Sequence, residues 1–106
     1  MTGKPTEKHR VLRETLRHYT EFRALCTASG EFDIEHKGIR INFLDLAGCL
    51  KSLSRRKKEA VFYNVICDMK QKDVAEQMGI TTGSVNQYVE QGMLQIAAML
   101  WPEEDE

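Results

Sequence analysis

The stretch Gln71-Lys72-Asp73-Val74-Ala75-Glu76-Gln77-Met78-Gly79-Ile80-Thr81-Thr82-Gly83-Ser84-Val85-Asn86-Gln87-Tyr88 limits the fold more than any other part of the sequence. Val74 and Met78 stand one helical turn apart and point inward together. Ala75 is small where two helices cross closely. Gly79 supplies a left-handed residue at a helix end, which costs glycine little. Ile80 fills the corner, Thr81 or Thr82 caps a second helix, and Val85 and Tyr88 pack that helix back on the first. The whole pattern fits two helices crossing steeply at a short turn, a helix-turn-helix. An ordinary helical hairpin would not need the small residue, the turn glycine and the cap all in phase.

The rest of the chain reads around this motif. Met1 to Pro5 is a loose lead-in and Thr6 can cap a helix starting at Glu7. Val11, Thr15, Tyr19, Phe22 and Cys26, joined by Leu12, Leu16 and Leu25, form one apolar stripe, so a single helix over 7–29 is expected, stopped by Gly30. Its other face carries Arg10, Arg13 and Arg17, either a solvated stripe or one that meets phosphate or a partner. Residues 31–41 alternate, and His36-Lys37-Gly38 is turn chemistry, so a β-hairpin is expected with strands near 31–35 and 39–41. Pairing Ile34 with Ile39 and Phe32 with Ile41 puts the apolar side chains on one face. Asn42 then caps a helix running to about Leu53, and Ser54 caps one running to about Met69 that is apolar nearly all round. Helices near 71–78 and 82–101 follow, and Pro102 ends the last. The expected fold is mostly α, one domain with a C-terminal helix-turn-helix and a small β-hairpin insertion. Its parts are an N-terminal helix (7–29), the hairpin (31–41), the helical unit with the motif (43–101) and an acidic tail (102–106).

Length and composition exclude several function classes. With 106 residues there is little space for an enzyme pocket, and no enzyme is expected. Cys26, Cys49 and Cys67 are odd in number and widely spaced, which argues against a disulfide framework or a zinc site and fits a reducing cytoplasm. His9, His18 and His36 do not fall at metal spacing with Cys or carboxylates, and no phosphate-binding glycine motif occurs, so neither metal nor cofactor is expected. No apolar run approaches a membrane span, and no secretory signal is visible. The net charge of −1 hides a split: residues 1–58 hold 13 Lys+Arg against 7 Asp+Glu, and residues 59–106 hold 2 against 9. A basic surface for a polyanion and an acidic, solvated end are the simplest readings.

From Leu53 to Ile96 the chain resembles region four of the bacterial sigma-70 family. The leader Leu53-Ser54-Arg55-Arg56-Lys57-Lys58-Glu59-Ala60-Val61 is similar to the family's Leu-Ser, basic residues, Glu and apolar pair, and the helix-turn-helix follows at the family's distance. The resemblance implies a module whose second motif helix binds an upstream promoter element, and which also contacts a flap on the β subunit of RNA polymerase. No segment resembles the sigma region that melts the promoter. The expectation is therefore a stand-alone regulator of the phage or mobile-element type, not a complete sigma factor.

This sequence departs from the family in one respect. No Lys or Arg occurs from Thr82 to Trp101, where family members carry basic residues. The exposed face instead offers Asn86, Gln87, Glu90, Gln91 and Gln95, and Asn or Gln can bond adenine in a bidentate way. Thr82, Gly83, Asn86 and Gln87 are the candidate base-reading residues. Arg55, Arg56, Lys57, Lys58 and Lys72 are the candidate phosphate contacts, with Ser84 at the helix N-terminus, where the dipole favours an anion. Residues 51–101 carry 7 basic against 5 acidic groups, a thin margin for a DNA binder. A homodimer, formed through the N-terminal stripe and the hairpin, would double it. The expected function is sequence-specific binding of double-stranded DNA in transcription control. The alternative is a protein-interaction module that binds RNA polymerase or another regulator without touching DNA.

Overall fold

The computed structural model describes residues 7–102. The expected lead-in, the Thr6 cap and the acidic residues 103–106 lie outside the described residues. The order is α1 (Glu7–Arg17), α2 (Tyr19–Ser29), β1 (Asp33–His36), β2 (Ile39–Asn42), α3 (Phe43–Ser52), α4 (Arg55–Val61), a π-helical turn (Phe62–Ile66), α5 (Gln71–Met78) and α6 (Thr82–Leu100). The fold is mostly α with one small antiparallel hairpin, as the pattern requires.

The expected helix over 7–29 is two helices. At His18 the backbone leaves helical geometry, with φ −108° and ψ 29°. Its N–H is shared between the carbonyls of Glu14 and Thr15, both at 3.2 Å. One turn earlier, the buried Thr15 hydroxyl donates to the Val11 carbonyl at 2.8 Å, a back-bond that bends helices. Apolar spacing continues across the break without a change of phase, so periodicity alone does not reveal it. Gly30 ends α2 in the left-handed conformation, φ 77°, and its N–H reaches the Cys26 carbonyl at 2.8 Å.

The hairpin register also differs from the expected pairing. Ile34 faces Ile41 and His36 faces Ile39. The cause is the turn. Lys37 (φ 55°) and Gly38 (φ 78°) are both left-handed, the signature of a two-residue type I′ turn. That turn makes His36 and Ile39 neighbours and moves every pair by two residues. A two-residue shift keeps side chains on their faces, so Ile34, Ile39 and Ile41 still share one. Asn42 links the hairpin to α3. Its side-chain oxygen accepts from the N–H groups of Leu44 and Asp45, each at 3.0 Å, and its amide donates to Asp33 at 2.8 Å.

Val11, Leu12 and Leu16 of α1 are fully buried and join Leu46, Ala60, Val61, Val65, Val74, Val85, Val89 and Ile96 in one core. α1 packs on α6 and on the π-turn. An Arg17–Asp68 ion pair at 3.7 Å and Lys8 over the Trp101 ring at 5.4 Å lie on the outside of this contact. The apolar stripe of α1 is thus covered within its own chain. Of α2, only Cys26 is buried, and of the hairpin only Ile41.

The helix after Ser54 is shorter and less apolar round its circumference than expected. Ser54 sits at the cap position but its side chain makes no cap bond. Past Val61 the helix widens, and the N–H of Cys67 bonds the carbonyl of Phe62 five residues back at 2.9 Å. Phe62 and Cys67 are exposed, and the helical stretch ends at Ile66, short of the expected Met69, with the chain turning at Asp68 (φ 58°). Cys26 and Cys49 are buried free thiols. Burial, aided by the nearby Asp45 carboxylate, pushes the Cys49 thiol above its ordinary value, so it stays neutral.

Candidate nucleic-acid interface

α5 and α6 form the helix-turn-helix. Gly79 has φ 70° and its N–H closes the end of α5. The Ile80 N–H bonds the Ala75 carbonyl at 3.0 Å, the tight return of the turn. Thr81, not Thr82, is the cap: its hydroxyl oxygen accepts the Ser84 N–H at 3.1 Å and its own proton goes to the Ser84 hydroxyl, also at 3.1 Å. Val74 and Ala75 meet Val85 and Val89 inside. α4 braces α6 from behind. A Cβ at Gly92 would lie 2.9 Å from a Val61 methyl, so any larger residue here would force Val61 or the helix crossing to shift.

With Val85, Val89 and Ile96 inside, helical geometry turns Gly83, Gln87, Glu90, Gln91 and Leu94 outward, and all five are exposed. Thr82 and Gly83 are exposed at the helix start, and the space where a Gly83 Cβ would stand holds only the Thr81 hydroxyl, at 3.9 Å. Asn86 is exposed on the flank towards α5. Its Oδ1 accepts the Gln71 amide at 3.2 Å, which leaves its own N–H groups directed elsewhere. Ser84 is half-buried, and its hydroxyl already serves the cap. Gln95 is not on this face: it accepts from Lys57 at 3.0 Å beside α4. Glu90 is the one carboxylate on the exposed face, one turn after Asn86 and Gln87; a Glu there can accept from the cytosine amino group.

The basic leader does not act as one cluster. Consecutive helical residues step round by about 100°, so four in a row span most of the circumference. Arg55 is 90% exposed at its side chain and pairs with Glu59 at 3.6 Å. Arg56 donates to the Met78 carbonyl at 3.2 Å, beside the motif's turn. Lys57 turns to α6, and Lys58 lines a groove formed with α2 and α3. Of the four, Arg56 reaches the turn of the helix-turn-helix and Lys57 reaches Gln95 of α6 away from its outer face, while Arg55 and Lys58 face elsewhere. Lys72 is exposed and has no ion-pair partner among the described residues. Lys70 and Lys72 are the exposed chain neighbours of Gln71, whose side chain donates to Asn86 at 3.2 Å at the start of the motif.

The family model for sigma-70, region 4 matches residues 43–96, just over half of the chain. The chain belongs to the sigma-70 region 4 family. Its region 4 module therefore comprises α3 to α6, ten residues earlier in its start than the stretch whose residues carry the resemblance. Membership makes α5 and α6 a DNA-binding, transcription-related helix-turn-helix. No curated protein and no solved structure matches the chain. α1, α2 and the hairpin precede the region 4 match. Among the described residues no group of His, Cys, Asp and Glu could hold a metal ion, and no helix is long and apolar enough to cross a membrane.

Proposed function

We propose that this region 4 chain is a sequence-specific regulator of transcription that reads double-stranded DNA with the first two turns of α6, in the compartment that holds the DNA. It works by binding and not by catalysis. The observation that carries this is the exposed polar face of Gly83, Asn86, Gln87 and Glu90, with Asn86 tied by hydrogen bond to Gln71 between the exposed Lys70 and Lys72 in the chain. Amide groups offer paired donor and acceptor atoms to base edges, and the two lysines and Arg56 supply charge for phosphates. Asn86→Ala and Gln87→Ala should each cost about 1–3 kcal/mol on a selected duplex and little on random DNA. A mobility-shift titration over salt measures both, and equal losses on the two duplexes would end the base-reading role.

A second reading is favoured by the absence of any cation on α6 and by the scattering of the leader: the module binds RNA polymerase and leaves DNA to it. No shift with any duplex at low salt, with retained binding to polymerase, would select it. A homodimer would raise the local positive charge in either case. Its support is now confined to half-exposed apolar groups of α2 and the hairpin, since α1 is covered by its own chain. Light scattering at micromolar concentration tests it directly.

A further inference from the structure

Away from the helix-turn-helix, α2 and α3 enclose an open groove of about 550 Å³. Its floor holds Tyr19 and Phe43, whose rings lie 4.8 Å apart, together with Leu44, which is 61% exposed. Arg23 of α2, Lys51 of α3 and Lys58 of α4 stand around it, all exposed. None of these three has an ion-pair partner among the described residues, and no carboxylate lines the groove. Asp45, the one acid of α3, projects from the far side of that helix, about 150° round from the middle of the groove face. Glu21 of α2 is occupied by His18 at 2.8 Å. The result is an apolar trough with cations on several sides and no negative charge of its own.

We propose that this groove docks an acidic amphipathic helix of a partner protein, with leucine-type side chains on the Tyr19–Phe43–Leu44 floor and carboxylates against Arg23, Lys51 and Lys58. Charge complementarity selects the acid, and the exposed Leu44 with the partly buried Tyr19 ring, backed by the buried Phe43, selects the apolar face. The site is separate from the DNA-reading face of α6. It also depends on α2, which lies outside the region 4 match, so it gives the N-terminal part of the chain a role that the module alone lacks.

A sixteen-residue peptide library displayed on phage, panned against the whole chain, supplies the probe. The expected winners carry Asp or Glu together with Leu or Phe at helical spacing. By fluorescence anisotropy they bind the native chain and lose at least about ten-fold in affinity on R23E/K51E and on Leu44→Ser, with binding weakened by salt. Circular dichroism of each variant, and an unchanged mobility shift on the selected duplex, show that folding and the α6 face are intact. Winners that are neutral or basic, or that bind the variants as well as the native chain, overturn the proposal. So does a single-stranded oligonucleotide that displaces the peptide and loses affinity on the same variants, which would make the groove a nucleic-acid site. A native chain that sedimented as a dimer and became monomeric on Leu44→Ser would assign the groove to a second copy and overturn it too.

Discussion

The region 4 module and the segment before it are held together by different means. In the module, α4 and α6 cross so closely that Gly92 meets a Val61 methyl, and buried side chains come from every helix. Before the module, α1 buries Val11, Leu12 and Leu16 in the same core, while α2 and the hairpin contribute one buried side chain each. The boundary that matters physically therefore falls at His18 and not at the start of the family match. α1 is structurally a further helix of the module, and α2 with the hairpin is a lightly anchored arm that shapes the groove.

That division can be broken experimentally. The largest effect is expected from Leu16→Ala in α1, about 2–5 kcal/mol by urea unfolding, in one cooperative transition shared with the module. A small loss, or two separate transitions, would return α1 to the arm. Gly92→Ala should cost about 1–3 kcal/mol through overpacking at the crossing. Combining it with Val61→Ala should recover part of that loss, since the clash is with the Val61 methyl; simple additivity of the two losses would show that the crossing relaxes in another way. At Gly83 the sign reverses. Alanine fits the open space and should stabilise α6 by roughly 0.5–1 kcal/mol, yet weaken the duplex shift if DNA backbone approaches the helix start. The smallest effect belongs to the arm: Leu25→Ser, at a site 63% exposed, should stay within about 0.5 kcal/mol. A larger loss would mean that α2 is packed more firmly than its burial suggests.

Local chemistry was the legible part of the sequence. Gly79 as a left-handed turn, Thr81 as one of two possible caps and Asn42 as the cap before Phe43 follow from the needs of one or two backbone groups, and the structure uses them so. The break at His18 was not legible, because Val11, Thr15, Tyr19 and Phe22 keep helical spacing straight through it. The hairpin register was missed because apolar alternation is satisfied equally by pairings two residues apart, and the Lys37-Gly38 turn chooses between them. At the candidate site, residue types pointed to the exposed amides of α6. They did not show that Gln71 holds Asn86, or that Arg55 to Lys58 diverge, since both depend on which neighbour each side chain finds. The roughly 3.6-residue and 2-residue rhythms of a sequence carry faces, not partners.

The wide turn at Phe62–Ile66 bears on how this chain tolerates gains and losses of residues. A π-turn accommodates one residue more than an α-helix of the same rise. That residue sets the angle at which the backbone leaves α4 for Asp68 and α5. The turn already holds its one extra residue, so a further insertion there would swing the outgoing chain by about 100° and push it out by roughly 1.5 Å. The Met69 carbonyl would then leave the Asn64 amide that holds it at 2.8 Å, and α5 would start from the wrong side of the core. At the tip of the hairpin, by contrast, Lys37 and Gly38 lie exposed and an added residue only lengthens a loop. Among length variants of this chain, those that fold should differ at the hairpin tip and gain no residue between Arg55 and Gln71.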